Sequence, residues 1–116
     1  MVREKAFRFA VRIVKLCEYL RQEKKECILS KQLLRSGTSI GANLSEAKEG
    51  QSRSDFLSKN AIALKEASET DYWLRLLHAT EYLTDAEYDS IIQDCRELER
   101  IMTSSVRTTK DNPARE

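Results

Sequence analysis

The sequence has few of the residues that break helices or build sheets. It contains one proline and three glycines among 116 residues, and aromatic residues make up only 7%. Sandwiches and barrels need many turns and strand-forming side chains, so this composition argues against both classes. Charged residues reach 34%, which suits amphipathic helices with solvated faces. The length fits one hydrophobic core, and the sequence predicts a single all-α domain.

Residues that build metal centres and catalytic sites are also scarce. The one histidine is His78, and Arg75 rather than a glutamate lies three positions before it, so the paired Glu-x-x-His ligands of a di-iron bundle are lacking. The three cysteines, Cys17, Cys27 and Cys95, have no CxxC spacing, which favours reduced thiols over a zinc site or disulfides. We therefore expect no catalytic residue, no metal and no cofactor, and a protein that is not an enzyme.

Long apolar runs are lacking as well. The longest uncharged segment is too short to cross a bilayer, and the residues after Met1 enter an amphipathic pattern without the apolar core of a signal peptide. The sequence therefore predicts a cytoplasmic protein with no membrane partner.

The charge is unevenly distributed although its sum is small. The formal net charge is +1, yet residues 1–58 carry 12 Lys and Arg against 7 Asp and Glu, while residues 59–116 carry 8 against 12. Half-molecules of opposite charge can draw polyanions to one face or let subunits meet head to tail.

Apolar residues recur at helical spacing in four segments, at about 4–24, 31–49, 53–80 and 85–104. Joins of a few residues force consecutive helices to run antiparallel. The sequence therefore predicts one up-down-up-down antiparallel four-helix bundle over residues 1–106, followed by a disordered tail at 107–116. The stripe of the first helix consists of Ala6, Phe9, Ala10, Ile13, Leu16, Cys17 and Leu20.

Capping signals mark the ends of these helices. Ser30 precedes the apolar pattern of the second helix and is predicted to be its N-cap, and Gly50 is predicted to end it. The third helix should begin after Ser52 or Ser54. Residues 84–87 read Thr-Asp-Ala-Glu, a capping box that predicts the start of the fourth helix.

The third predicted helix has a second apolar face outside its core stripe. In a small monomer this apolar face would be exposed to solvent, and tryptophan and tyrosine are typical of the cores of subunit interfaces. We interpret the face as an oligomer interface; the alternative is that its residues are apolar side chains scattered singly over the surface. Its members are Ile62, Tyr72, Trp73 and Leu76.

Four basic residues follow one line on the first predicted helix, roughly opposite its apolar stripe. They are Lys5, Arg8, Arg12 and Lys15. Repeated by the symmetry of an oligomer, this basic ridge could neutralise the phosphates of RNA or DNA. The alternative is an ordinary solvated helix face.

Two glycines, Gly37 and Gly41, lie four residues apart inside the second predicted helix, where each costs about 1 kcal/mol relative to alanine. A phosphate-binding Walker loop would follow a strand and end in Gly-Lys-Ser/Thr, whereas Gly41 precedes Ala42. The spacing instead favours a small-residue seam where another backbone comes close.

Ser39, Asn43 and Glu46 follow a neighbouring line of the same helix. If partly buried, their side chains must hydrogen-bond each other or a neighbouring helix, because an unpaired buried polar group costs about 1–3 kcal/mol. We expect them to give packing or assembly its specificity.

Three segments carry a resemblance to a known family: residues 32–47 (QLLRSGTSIGANLSEA), 54–56 (SDF) and 65–77 (KEASETDYWLRLL). In order and spacing they resemble the bacterial four-helix-bundle proteins encoded in intervening sequences of large-subunit ribosomal RNA genes, over about residues 4–106. The resemblance implies an up-down-up-down bundle that assembles as a ring-shaped homopentamer. A related protein, the accessory variability protein of diversity-generating retroelements, binds nucleic acid and a reverse transcriptase through a basic surface. The family motif on Ser39, Asn43 and Glu46 looks structural.

Two functions fit these observations. The first is a homopentameric helical protein that binds RNA or DNA through the basic ridge. The second is a scaffold for protein partners that does not bind nucleic acid.

Overall fold

The computed structural model describes residues 1–48 and 52–111, which form four helices and contain no strand. Helix α1 spans Val2–Gln22, α2 Leu29–Lys48, α3 Arg53–Ala79 and α4 Asp85–Asp111. Consecutive helices pack against each other and α4 also packs against α1, whereas the described backbones of α1 and α3 stay more than 8 Å apart between Cα atoms. The helices thus occupy the corners of a square in which α1 is diagonal to α3. This confirms the predicted all-α four-helix bundle.

The core is built from one apolar stripe of each helix, as the helical spacing predicts. Large side chains that are almost fully buried come from all four helices: Phe9, Ile13, Leu20, Leu33, Ile40, Leu74, Leu77, Leu98 and Met102. Burial of each contributes about 1.5–3 kcal/mol relative to exposure. Packing of these stripes, rather than helix propensity alone, therefore stabilises the bundle.

The N-terminus of α2 is capped by Glu26 and not by Ser30, which corrects the prediction. The Glu26 carboxylate accepts hydrogen bonds from the backbone N–H groups of Ile28, Leu29 and Ser30 at 3.1, 2.8 and 2.7 Å. Ser30 lies inside the first turn, where its hydroxyl donates to the Glu26 carbonyl at 2.9 Å. A longer acidic side chain placed before the helix reaches three unpaired donors at once, and its charge suits the positive end of the helix dipole.

The other predicted N-caps are as expected from the sequence. Ser52 caps α3 and accepts a hydrogen bond from the Asp55 N–H at 3.0 Å. The capping box of α4 is reciprocal: the Thr84 N–H donates to Glu87 at 2.8 Å and the Glu87 N–H to Thr84 at 3.1 Å. Gly50, the predicted end of α2, lies outside the described residues.

Helix α3 ends in a Schellman motif that the sequence does not predict. The Tyr82 N–H bonds the Leu77 carbonyl and the Glu81 N–H bonds the His78 carbonyl, at 2.9 and 3.0 Å. Glu81 takes the left-handed backbone conformation, with φ of 69°, at the position where glycine is usual. The turn that brings α4 back along α3 is therefore closed by a strained non-glycine residue.

Helix α4 is longer than the sequence predicts, since it continues to Asp111 instead of ending near residue 104. Residues 107–111 of the predicted disordered tail are helical; residues 112–116 lie outside the described part of the chain. The apolar pattern fades after Met102, but no glycine or proline lies between Met102 and Pro113. Once the packed part of the helix has formed, each added residue gains a backbone hydrogen bond without a new nucleation cost.

Candidate functional site

The two glycines of α2 form a close contact within one chain. Neither has a positive φ, and both lie inside the helix. A Cβ atom at Gly37 would come within 2.8 Å of Ile13 Cγ2 on α1, while one at Gly41 would meet Ala6 at 3.7 Å. The small-residue seam is therefore where α1 and α2 approach each other, and its tightest point is Gly37.

The polar residues beside the seam are satisfied locally. The Ser39 hydroxyl donates to the Arg35 carbonyl at 2.7 Å, and the Asn43 amide donates to the Ser39 carbonyl at 2.8 Å. Glu46 is exposed and pairs with Lys59 of α3 at 2.9 Å. Two of the three side chains thus bond the backbone of their own helix, and only Glu46 reaches a neighbouring helix.

The basic ridge of α1 is half neutralised by α4. Lys5 pairs with Glu97 at 3.2 Å, and Arg12 pairs with Asp94 at 2.6 Å. Arg8 and Lys15 are exposed and make no ion pair with the described residues. Basic residues of the first half of the sequence thus form ion pairs with acidic residues of the second half within one chain. Two of the four ridge residues remain available to an anion from outside.

The predicted interface residues of α3 face away from the core to different degrees. Tyr72 is 49% exposed and Ile62 38%, while Trp73 and Leu76 are partly buried. The Trp73 indole N–H donates to Glu69 at 2.9 Å, and its ring meets Tyr72 edge-on at 5.1 Å between centroids. We refer to Ile62, Tyr72, Trp73 and Leu76 as the α3 face.

An exposed apolar stripe on α1 was missed by the sequence reasoning. Phe7 is 70% exposed, and Val11 and Val14 are 40% and 41% exposed. Their spacing of four and three residues places them on one line of the helix. The same wheel that identifies the core stripe of α1 could have shown this second line. We refer to Phe7, Val11 and Val14 as the α1 stripe.

The α1 stripe and the α3 face lie on opposite corners of the bundle. The two helices are diagonal, since both pack against α2 and α4 and their described backbones do not approach each other closely. Each chain therefore presents two separate apolar surfaces, one on α1 and one on α3. Large exposed apolar side chains in such groups are typical of association surfaces.

A polar cluster joins α3 to α4. Both oxygens of Asp71 accept hydrogen bonds from arginines, Oδ1 from Arg75 at 2.8 Å and Oδ2 from Arg96 at 3.0 Å. Burial raises the pKa of Asp71, but the hydrogen bonds from Arg96, Glu99 and Arg75 outweigh it and hold the pKa below its usual value. Burial, followed by the neighbouring Asp71, raises the pKa of Glu99 to about 7.

Asp71, Cys95 and Glu99 are also three potential metal ligands, whose ligand atoms lie within 4.8 Å of one another. The two arginines already hold both oxygens of Asp71 and repel a cation, and burial raises the pKa of the Cys95 thiol, which disfavours the thiolate that binds metal. The geometry therefore supports an ion-pair cluster better than a metal site.

The remaining candidates for chemistry, Cys95 and His78, have different interaction partners. The Cys95 thiol donates to the Ala67 carbonyl at 3.4 Å. His78 bonds Asp85 at 2.7 Å and stacks on Tyr88 with 4.1 Å between ring centroids. His78 thus contributes to the turn between α3 and α4, and the interactions of the two side chains give no nucleophile–base pair. Over residues 1–48 and 52–111, no helix combines the length and hydrophobicity needed to traverse a lipid bilayer.

Comparison with known proteins agrees with this architecture. A search of curated protein sequences finds no match. The crystal structure of a protein of unknown function from the S23 ribosomal protein family of Bacteroides thetaiotaomicron VPI-5482 is 54% identical, covers 91% of this chain and 98% of its own, and superposes with a TM-score of 0.90. The family model of the 23S rRNA-intervening sequence proteins matches residues 1–104. The chain therefore belongs to the 23S rRNA-intervening sequence protein family.

Proposed function

We propose that the protein is a self-assembling helical scaffold in which the α1 stripe of one copy packs on the α3 face of the next. The observation that carries the proposal is the exposure of Phe7, which at 70% leaves most of a large aromatic side chain in water beside two exposed valines. A second copy would remove this apolar surface from water, at a gain of about 25 cal/mol for each Å² buried. Tyr72 and Trp73 supply the aromatic surface typical of the opposing side.

A contact between two different surfaces allows a ring. A contact between two different surfaces is head-to-tail, and repeated head-to-tail contacts either close into a ring or continue as a filament. The resemblance to the family implies closure with five copies, and we propose a homopentamer on that basis. No cofactor, metal or catalytic residue is part of this function.

Two charge-introducing substitutions test the proposal, one on each surface. Val11→Glu places a charge in the α1 stripe and Tyr72→Glu places one in the α3 face; Tyr72 is preferred to Trp73 because it is the more exposed of the two. Ile28→Glu is the matched control, since Ile28 is 77% exposed but lies in the connection between α1 and α2. Light scattering on the wild-type chain and on the control should give about five times the chain mass, while each test variant should give a smaller species.

Mixing the two test variants distinguishes a head-to-tail contact from a symmetric one. Val11→Glu retains an intact α3 face and Tyr72→Glu an intact α1 stripe, so a mixture can form one intact interface and should yield heterodimers. A symmetric contact between two α1 stripes would instead leave Tyr72→Glu fully assembled. A monodisperse wild-type monomer would contradict the whole proposal.

Nucleic-acid binding is a second candidate, supported by the exposure of Arg8 and Lys15. Because Lys5 and Arg12 are paired with α4, each copy would offer about two phosphate contacts instead of four, and the logarithm of the affinity should fall with the logarithm of salt concentration by about 0.7–0.9 per contact. Binding of single-stranded RNA by the wild-type chain, lost in Arg8→Glu/Lys15→Glu, would support this candidate, and salt-insensitive binding would reject it. A pull-down with and without nuclease separates it from a scaffold for other proteins.

A further inference from the structure

Two carboxyl groups meet where α3 packs on α4. One carboxylate oxygen each of Asp71 and Glu99 lies within 4.8 Å of the other and of Cys95 Sγ. Asp71 is 8% exposed, Cys95 is fully buried and Glu99 is partly buried. Two ionised carboxylates this close in a partly desolvated site repel each other, so one of them retains a proton at a pH where an isolated carboxyl would lose it.

The hydrogen bonds indicate which carboxyl keeps the proton. Arg75 and Arg96 occupy both oxygens of Asp71, which is therefore the ionised member. Glu99 forms no ion pair with an arginine or lysine of the described residues and accepts only weak contacts, from the Ser68 hydroxyl at 3.4 Å and the Cys95 thiol at 4.0 Å. A protonated Glu99 can donate a hydrogen bond to Asp71, whereas an ionised Glu99 has only these two weak donors among the described residues.

The other charged groups around the pair are already engaged or lie at its outer edge. On the side of α4 that faces α1, Asp94 and Glu97 pair with Arg12 and Lys5. On the side of α3 that faces α2, Glu66 and Glu69 pair with Arg35. Tyr88 lies near Arg96. An open groove of about 310 Å³ begins at Glu99 and is lined by Arg100, Thr103, Ser104 and Arg107.

We propose that Glu99 and Asp71 form a proton-dependent link between α3 and α4, in which protonated Glu99 donates to Asp71 and ionised Glu99 turns away from it toward the arginine-lined groove. The link therefore has two states that differ by one proton and by the position of one side chain. Loss of the proton removes a hydrogen bond across the helix contact and loosens it. This inference is independent of assembly, because none of its groups belongs to the α1 stripe or the α3 face.

The direction of the pH effect follows from linkage. The pKa of Glu99 is raised from an ordinary 4.5 to about 7 in the folded chain, so the folded state binds more protons than the unfolded state between these values. Its stabilising contribution is complete below about pH 4.5 and is lost as the pH rises through about 7. Asp71 acts in the opposite direction: its pKa is lowered from 3.8, so its contribution is present above that value and is lost as the pH falls. Stability should therefore decrease between mildly acidic and mildly alkaline pH.

Glu99→Gln tests the link on the full-length chain. The glutamine amide can donate to Asp71 as the protonated acid does, but it never ionises. We expect the variant to melt roughly 3 °C or more above the wild-type chain at pH 8, and within about 1 °C of it at pH 4, where the carboxyl is protonated in the folded and the unfolded chain. Glu18→Gln is the control: Glu18 is exposed on α1 and forms no ion pair with the described residues, so its melting curve should follow the wild type at both pH values.

A direct titration decides the question even if the variant folds poorly. In wild-type protein labelled with carboxyl-¹³C glutamate, the Glu99 resonance should titrate with a midpoint near 7, which is the value expected from its surroundings. A midpoint near the ordinary 4.5 would overturn the proposal. Equal melting temperatures of wild type and Glu99→Gln at pH 8 would equally overturn it, because the ionised side chain would then cost the fold nothing.

Discussion

Replacing Gly37 by alanine should destabilise the protein, whereas the same replacement at Gly41 should stabilise it. Both residues lie inside α2 with helical backbone angles, so alanine gains the same helix propensity at either position, about 1 kcal/mol. They differ only in what the added methyl group meets. Comparison of the two variants therefore separates the effect of packing on stability from the effect of helix propensity.

The size of the effect at Gly37 follows from the position of Ile13. The new Cβ would be 2.8 Å from Ile13 Cγ2, 2.9 Å from Cγ1 and 3.3 Å from Cβ, all closer than an ordinary van der Waals contact. Ile13 is fully buried and β-branched, so one χ1 rotamer is strongly preferred within the helix and a change of rotamer is costly. Overpacking of this kind costs about 1–3 kcal/mol. After the gain in propensity, Gly37→Ala should be destabilising by up to about 2 kcal/mol.

Gly41 is the internal control. A Cβ there would meet Ala6 at 3.7 Å, an ordinary contact, so Gly41→Ala should stabilise by about 1 kcal/mol. Urea unfolding of both variants at one fixed protein concentration measures the difference, since assembly would otherwise shift the midpoints. An Ile13→Ala background removes the two nearest atoms, Cγ1 and Cγ2, and leaves only the Cβ atom at 3.3 Å, so Gly37→Ala should be less destabilising there than in the wild-type chain. If Gly37→Ala and Gly41→Ala stabilise the wild-type chain equally, the close approach of α1 and α2 at Gly37 is refuted.

The remaining predictions concern the helix ends. Glu26→Gln leaves one oxygen to serve three backbone donors and removes the charge near the start of α2; we expect a loss of about 1–2 kcal/mol in urea unfolding, and a smaller loss for Ser30→Ala, so an unchanged midpoint for Glu26→Gln would contradict the capping role. Glu81→Gly relieves a left-handed backbone conformation at the end of α3, and a gain of about 1 kcal/mol is expected; destabilisation would show that the Glu81 side chain contributes more than its backbone strain costs.

The N-termini of α2 and α4 show when a sequence pattern is sufficient to predict a helix cap. The Thr84–Glu87 capping box predicted the start of α4 correctly, because both partners lie within three residues and the signal is local. Ser30 looked like a cap by the same reasoning, yet Glu26 takes the role because its longer side chain folds back onto the helix from four residues away. A residue type that is a common cap is thus less informative than the geometry of the chain that leads into the helix.

The candidate surfaces show a similar limit. The wheel of α3 correctly identified Tyr72 and Ile62 as lying outside the core stripe, since helical periodicity fixes which residues share a side. The wheel of α3 could not indicate that Trp73 and Leu76 are partly buried. The wheel of α1 likewise could not indicate that Lys5 and Arg12 form ion pairs with acidic residues of α4. Those outcomes depend on how deeply neighbouring helices overlap at each edge of a stripe.

The sequence by itself determined the four helices, their core stripes and the family, because helical periodicity and capping are local properties of the chain. The tertiary structure decided which charges and apolar faces remain available. Lys5 lies 92 positions from Glu97, and Arg96 lies 25 positions from Asp71, so no local sequence pattern predicts either ion pair. These contacts exist because the square arrangement places α4 beside both α1 and α3, and that arrangement is set by the packing of all four helices together.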